Sequence, residues 1–363
     1  MDDSARDRDS FLEALGRLGP PLLRALAGLD HCQRQLHPPE LPRLREGMQG
    51  VIGDLVAARN AFGEVAEPEG LESFREQLDI AVSLALQAVE RFADGSPGPD
   101  GVARVLESMS LHAQAQEALY PLRRVLPPVS RYFLEPELHS RLETLDPEEP
   151  ASRVGLHVAH NGRDERGGFS LYVPESYDGS HALPLIVCLH GGSGHGADFM
   201  WTWLREARGR GCLLLSPTAR GPTWSLNGPD LDAAPLRSMV AYVSEHWRID
   251  AERVLLTGLS DGATYTLLCG LQPDMPFTAL APLSGVLHPA NFANGNMERA
   301  RGRRIYLVHG ALDWMFPVQL AQMARDELEK AGAELVYREI ADLSHTYARE
   351  ENPRILEWFA RAD

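Results

Sequence analysis

The chain has 363 residues, 44% of them apolar and 24% charged, with a formal net charge of −16. That length exceeds the usual single domain and allows about two. The acidic balance argues against nucleic acid or an anionic membrane surface as the main partner, because both would repel it. Met1 to Asp7 are acidic and lack the basic start and apolar core of a signal peptide, and no run approaches the roughly 18 apolar residues of a membrane span, so a cytoplasmic protein is expected.

In chain order, residues 1–150 read as a helical bundle with a connector. Apolar residues recur at helical spacing at Phe11, Leu12, Leu15 and Leu18, continue through Leu22, Leu23 and Leu26 across Pro20-Pro21, and return at Val51, Ile52, Leu55 and Val56. Leu71 to Phe92 and Val102 to Leu122 repeat the pattern. Joints fall at Leu36 to Pro39, Ala66 to Gly70 and Asp94 to Pro99, where proline and glycine interrupt the periodicity. Pro127 to Pro150 reads as a connector carrying one short helix, Glu135 to Leu145. The bundle's candidate roles are a stabilising cap, an oligomerisation surface that would make a homo-oligomer, a lid bordering an active site, or a partner-recognition module. His31, His37, His112 and His139 lack the i, i+4 spacing of a zinc helix, so no metal site is expected.

Residues 151–363 change character: short apolar runs open into glycine-rich or polar loops, as parallel strands buried on both faces do. Leu185 to Leu189 ends in His190-Gly191-Gly192-Ser193-Gly194, Cys212 to Ser216 leads to Trp224, and Arg253 to Thr257 ends in Gly258-Leu259-Ser260-Asp261-Gly262. The last is a Gly-x-Ser-x-Gly turn between a strand and a helix, Ala263 to Leu271. Such a turn exposes a hydroxyl that a base can reach, which a weak nucleophile needs. Arg304 to Val308 opens into a loop with Asp313, and Glu334 to Ile340 into a loop with His345. Serine, then acid, then histidine, each past a strand, are the roles of a catalytic triad. The N–H groups of Gly192 and Asp261 are the candidate donors to a developing oxyanion.

Competing residues are Ser284 and Ser193 for the nucleophile, and Asp342, three residues before His345, for the acid. Asp274 comes too early in chain order, and His309 is read as a local support of the Asp313 loop. Cys32, Cys188, Cys212 and Cys269 contain no Cys-x-x-Cys pair and read as small buried thiols. Trp201, Trp203, Trp224 and Trp314 follow strands or neighbour the acid. Of these, Trp201, Trp224 and Trp314 are taken as substrate-binding residues, together pointing to an apolar or aromatic acyl pocket.

His190-Gly191-Gly192, the Ser260 pentapeptide, His309-Gly310 with Asp313 and Pro317, and Leu343-Ser344-His345 together resemble the α/β-hydrolase superfamily. The resemblance covers roughly residues 155–363 and is greatest to the phospholipase/carboxylesterase branch, with its feruloyl esterase and polyhydroxybutyrate depolymerase-like relatives. It implies an α/β fold, an eight-stranded and mostly parallel sheet with helices on both faces, and hydrolysis of carboxylic esters without a cofactor. Two departures stand out: Ala263 where many relatives continue the elbow with glycine, and Phe316 where many have a small or β-branched residue before the proline. The expected protein is therefore a helical bundle at 1–150 followed by an α/β-hydrolase domain at 151–363, a serine carboxylesterase acting on small-molecule or oligomeric esters, including hydroxyalkanoate-type esters. A peptidase or acyltransferase on the same fold, and a catalytically silent binding module, are the alternatives.

Overall fold

The computed structural model describes residues 3–95 and 99–361, so the acidic start at Met1 and Asp2, and Ser96 to Gly98 of the third expected joint, lie outside the described residues. The chain divides into two compact units, Met1–Pro136 and Glu137–Asp363.

The first unit is built from four long helices: α1 (Asp3–Arg34), α2 (Leu41–Gly63), α3 (Glu72–Ala93) and α4 (Pro99–Leu119). Pro20 and Pro21 lie inside α1, which runs through them although each lacks the N–H a helix would use. The seam is apolar at helical spacing. Leu78, Ala81, Val82, Ala85, Val89 and Phe92 of α3 are buried together with Phe11, Leu22, Leu55 and Phe62, and each large side chain contributes about 1.5–3 kcal/mol. Ala81, Ala85 and Ala88 keep one face of α3 small, and Ser108 of α4 donates a hydrogen bond to the Ala88 carbonyl at 2.7 Å. The short helix expected over Glu135 to Leu145 is two pieces, a 3-10 turn at Pro136–Arg141 and an α turn at Leu142–Leu145. Arg141, the last residue of the first piece, at φ −98° and ψ 7°, leaves the helical region.

The second unit is an eight-stranded sheet: β1 (Gly155–Ala159), β2 (Phe169–Val173), β3 (Leu183–Leu189), β4 (Leu213–Pro217), β5 (Ile249–Leu259), β6 (Ala279–Leu283), β7 (Arg304–Gly310) and β8 (Glu334–Ile340). The spatial order is β1-β2-β4-β3-β5-β6-β7-β8. β2 pairs antiparallel with both β1 and β4, and every other pairing is parallel. With helices on both sides, this is the α/β-hydrolase architecture that the resemblance implies. β4 and β6 are buried along their whole length, as are Val254 to Gly258 of β5, which explains why these strands read as unbroken apolar runs.

Register fixes where the loops emerge. Leu189 lies beside Gly258, Leu259 beside Leu283, and Leu283 beside Val308, so β3, β5, β6 and β7 end on one edge of the sheet. The chain leaves β3 toward β4 but leaves β5 toward β6, on the other side. This reversal opens a crevice between the ends of β3 and β5, where open α/β sheets bind ligands.

Candidate active site

Ser260 follows β5 and precedes the helix Asp261–Gly270, at φ 57° and ψ −117°. The flanking glycines are required by distance. A Cβ on Gly258 would stand 2.6 Å from the Gly262 carbonyl, and one on Gly262 would stand 2.4 Å from the Leu189 carbonyl oxygen and 2.5 Å from that of His190. Ala263, one of the two departures, is buried against Gly285, where an added Cβ would come within 2.6 Å of the Ala263 methyl. The methyl that this chain adds to the elbow helix is thus accommodated by a glycine after β6.

The loops after β7 and β8 bring the other two groups to the serine. His345 Nε2 lies 2.9 Å from Ser260 Oγ, and its Nδ1 lies 2.8 Å from Asp313 Oδ2. The hydroxyl can therefore donate to Nε2 while Nδ1–H donates to the carboxylate. The Asp313 side chain is fully buried. Its Oδ1 accepts the N–H groups of Met315 at 3.0 Å and Phe316 at 2.8 Å, so the carboxylate is held by its own loop. Asp342, the rival acid, is exposed. Ser284, the rival nucleophile, is wholly buried at the end of β6, and Ser193 donates its N–H to the Pro222 carbonyl in the glycine loop.

His309 is buried beside this group. Its Nε2–H donates to the Phe316 carbonyl at 2.8 Å and lies 3.4 Å from Asp313 Oδ2. Burial pushes its imidazole below the ordinary histidine range, which keeps it neutral. It supports the loop from within.

Gly192 and Asp261, the candidate oxyanion donors, are neighbours: a Cβ on Gly192 would stand 2.7 Å from Asp261 Oδ2. The glycine loop is fixed by other groups. Gly194 N–H donates to the Gly191 carbonyl, His190 Nε2 accepts the Ala219 N–H at 3.1 Å, and His190 Nδ1–H donates to the Gly191 carbonyl at 2.6 Å. Asp261 opens its helix, so its amide sits at the positive end of the helix dipole. Its carboxylate accepts the Thr223 hydroxyl at 2.6 Å. Arg166 clamps three loop carbonyls, those of Gly194, Ala219 and Gly221. Thr223 and Arg166 carried no signal in the sequence because their partners lie 28 to 55 positions away.

The tryptophans require a correction. Trp224 is only 2% exposed and belongs to the hydrophobic core. Its indole donates to the His190 carbonyl at 2.8 Å and stacks on Tyr265 at 5.5 Å. Trp201 is also buried, and its carbonyl accepts a hydrogen bond from Arg349. Neither presents a surface to a substrate. Trp314 is 55% exposed beside the acid, with Leu312 and Met315 exposed around it. All four cysteines are buried as free thiols, and burial pushes Cys188 and Cys212 up to about 12. Among the described residues no group of three or more His, Cys, Asp or Glu side chains is arranged to hold a metal ion, and no helix is long and apolar enough to cross a membrane.

Comparison with known proteins gives a match between residues 234–360 and the family model for Phospholipase/Carboxylesterase. The chain is similar to a probable feruloyl esterase C of Aspergillus clavatus, 28% identical over 134 residues, which are 34% of this chain and 47% of that protein. The chain thus spans about half the length of the curated relative it matches. Among solved structures it is similar to a thermostable esterase, with a TM-score of 0.45 and 19% identity, covering 56% of this chain and 61% of the other. It is also similar to the fluorophosphonate-binding serine hydrolase F of Staphylococcus aureus, with a TM-score of 0.46 and 14% identity, covering 57% and 98%.

Proposed function

We infer, from an α/β-hydrolase unit whose residues 234–360 match the family model for Phospholipase/Carboxylesterase, that this protein is a serine carboxylesterase working through Ser260, His345 and Asp313. The observation that carries the reading is the continuous hydrogen-bond chain from Asp313 Oδ2 through the His345 ring to Ser260 Oγ, at 2.8 and 2.9 Å.

Ser260 Oγ attacks the ester carbonyl as its proton passes to His345 Nε2, and Asp313 stabilises the imidazolium. The carbonyl oxygen, now an anion, is met by the amides of Gly192 and Asp261, each such donor being worth about 100- to 1,000-fold in rate. Collapse of the tetrahedral intermediate breaks the bond to the alcohol oxygen, which takes the proton back from Nε2 and leaves. A water then gives its proton to His345 and attacks the acyl-enzyme, and the acid departs as Ser260 recovers its hydrogen. All proton transfers pass through one imidazole, and no step of this sequence calls for a cofactor. The substrate is a small-molecule or oligomeric ester with an apolar or aromatic part, received beside Trp314.

The test is hydrolysis of a p-nitrophenyl ester together with labelling by a serine-directed phosphonate. Ser260→Ala is expected to abolish both hydrolysis and labelling while the far-UV circular dichroism spectrum stays unchanged. Label on Ser284 or Ser193, or full activity in Ser260→Ala, would refute the assignment.

A further inference from the structure

We propose that Phe316 is a specificity-determining residue that forms the wall against which the leaving alcohol seats, so that this enzyme selects its esters by a bulky apolar or aromatic alcohol more than by the acyl group. The proposal rests on the serine-esterase reading above. Its starting point is the direction of proton transfer. The proton that His345 Nε2 takes from Ser260 must go to the alcohol oxygen, which has to come within about 2.6–3.2 Å of that nitrogen. The carbonyl oxygen of the same tetrahedral centre points to Gly192 and Asp261. With those two directions fixed, the alcohol extends past the imidazole.

What flanks the imidazole is Phe316. Its ring meets the His345 ring edge-to-face, at 5.2 Å between centroids and 89° between planes, and it is partly exposed. The Cα from which the ring projects is held in place, because the backbone of the same residue is fixed twice. The Phe316 N–H donates to Asp313 Oδ1, and its carbonyl accepts from His309 Nε2, both at 2.8 Å. The carboxylate that orients the base therefore also anchors the backbone that carries the ring beside it. Leu312, Trp314 and Met315 surround the buried acid with exposed apolar surface, 44%, 55% and 49% accessible. Contiguous apolar exposure of this kind marks a binding surface. The oxyanion side has a different character, with the Asp261 carboxylate and the Thr223 hydroxyl paired across Gly192. Apolar surface thus flanks the alcohol side, whereas the oxyanion side is polar.

The experiment compares the unmodified protein with Phe316→Val, and with the near-isosteric Phe316→Leu should the valine variant fail to fold. Two ester series are used: methyl, benzyl and naphthyl acetates, which vary the alcohol, and p-nitrophenyl acetate, butyrate and hexanoate, which vary the acyl chain. Relative to methyl acetate, kcat/KM for the benzyl and naphthyl esters is expected to fall at least about tenfold, the scale at which apolar pocket contacts discriminate. The ratios within the acyl series are expected to hold within about twofold. Equal losses in both series with a shifted pH profile would overturn the proposal, because the ring would then act only through His345. A change in acyl ratios as large as that in alcohol ratios would overturn it as well. If Ser260 takes up no phosphonate in the unmodified protein, the esterase reading itself fails. If Ser260 is labelled and the alcohol series is unmoved, only the role of Phe316 falls.

Discussion

Ser260 holds a positive φ without being glycine, at a cost of about 1–3 kcal/mol. The conformation is sustained because its N–H donates to the Leu283 carbonyl and its own carbonyl accepts from Thr264. The acid shows the same economy of position. Asp313 receives His345 and two loop amides, whereas Asp342 lies exposed only three residues from the histidine. Asp313→Asn is expected to lower kcat by about 10⁴, the loss that follows when the imidazole is held in the wrong tautomer. Asp342→Asn should change it less than about tenfold. Measuring kcat for the two variants side by side decides the matter, since a severe loss confined to Asp342→Asn would transfer the role. The positions of Ser260, Asp313 and His345 were legible because each follows a strand whose apolar run is local in sequence. Trp224 was misread because burial is a tertiary property. Its place between His190 and Tyr265 depends on contacts 34 and 41 positions away, which no local pattern encodes.

At the scale of elements, the loop after β3 depends on one neutral histidine. His190 donates from Nδ1 to the Gly191 carbonyl and accepts the Ala219 amide at Nε2, so a proton on Nε2 would face another N–H. Burial pushes its imidazole down to about 3, against about 6.5 in an unfolded chain. Between those values the unfolded chain binds a proton that the folded loop refuses. The associated stability is present above about pH 6.5 and is lost as pH falls toward about 3. His309, also lowered by burial, adds to the loss in the same direction. Urea midpoints measured across this window should fall with pH, and His190→Gln should flatten the fall while lowering stability at pH 7.5. Parallel curves for the two proteins would show that another group controls the loop. Elements differed in how plainly the sequence announced them. β3, β5, β7 and β8 were legible from their apolar runs, but β1 and β2 were not. β1 is an edge strand whose Val158 faces solvent and whose neighbours are only half buried, so its sequence carries little contrast. β2 is buried at four of its five positions, but it interrupts its short apolar run with Ser170 and pairs antiparallel with β4, a partner more than forty residues on.

For the whole molecule, the proposed catalytic groups and their supports all lie after Glu137, which makes the second unit a candidate to work without the first. The point at which to begin such a chain follows from one ion pair. Arg208 is fully buried in the helix Leu204–Arg210. It donates to Asp146 at 2.8 Å and lies 3.7 Å from Glu175. Asp146 belongs to the stretch that reads in the sequence as connector, and starting the chain at Ser152 would remove it. Taking one partner from a buried pair costs about 3–5 kcal/mol, and the remaining Glu175 puts the expected loss toward the lower end. A protein beginning at Glu137 is therefore expected to fold, titrate fully with the phosphonate, and hydrolyse small esters within about tenfold of the full chain. One beginning at Ser152, like Asp146→Ala in the full chain, should show a urea midpoint lowered by an amount corresponding to about 3 kcal/mol. Equal midpoints for the two shortened chains would remove Asp146 from the account. If the chain from Glu137 titrates fully yet turns over small esters more than about 1,000-fold slower, the loss exceeds what one oxyanion donor supplies, and the first unit must then contribute a group to catalysis.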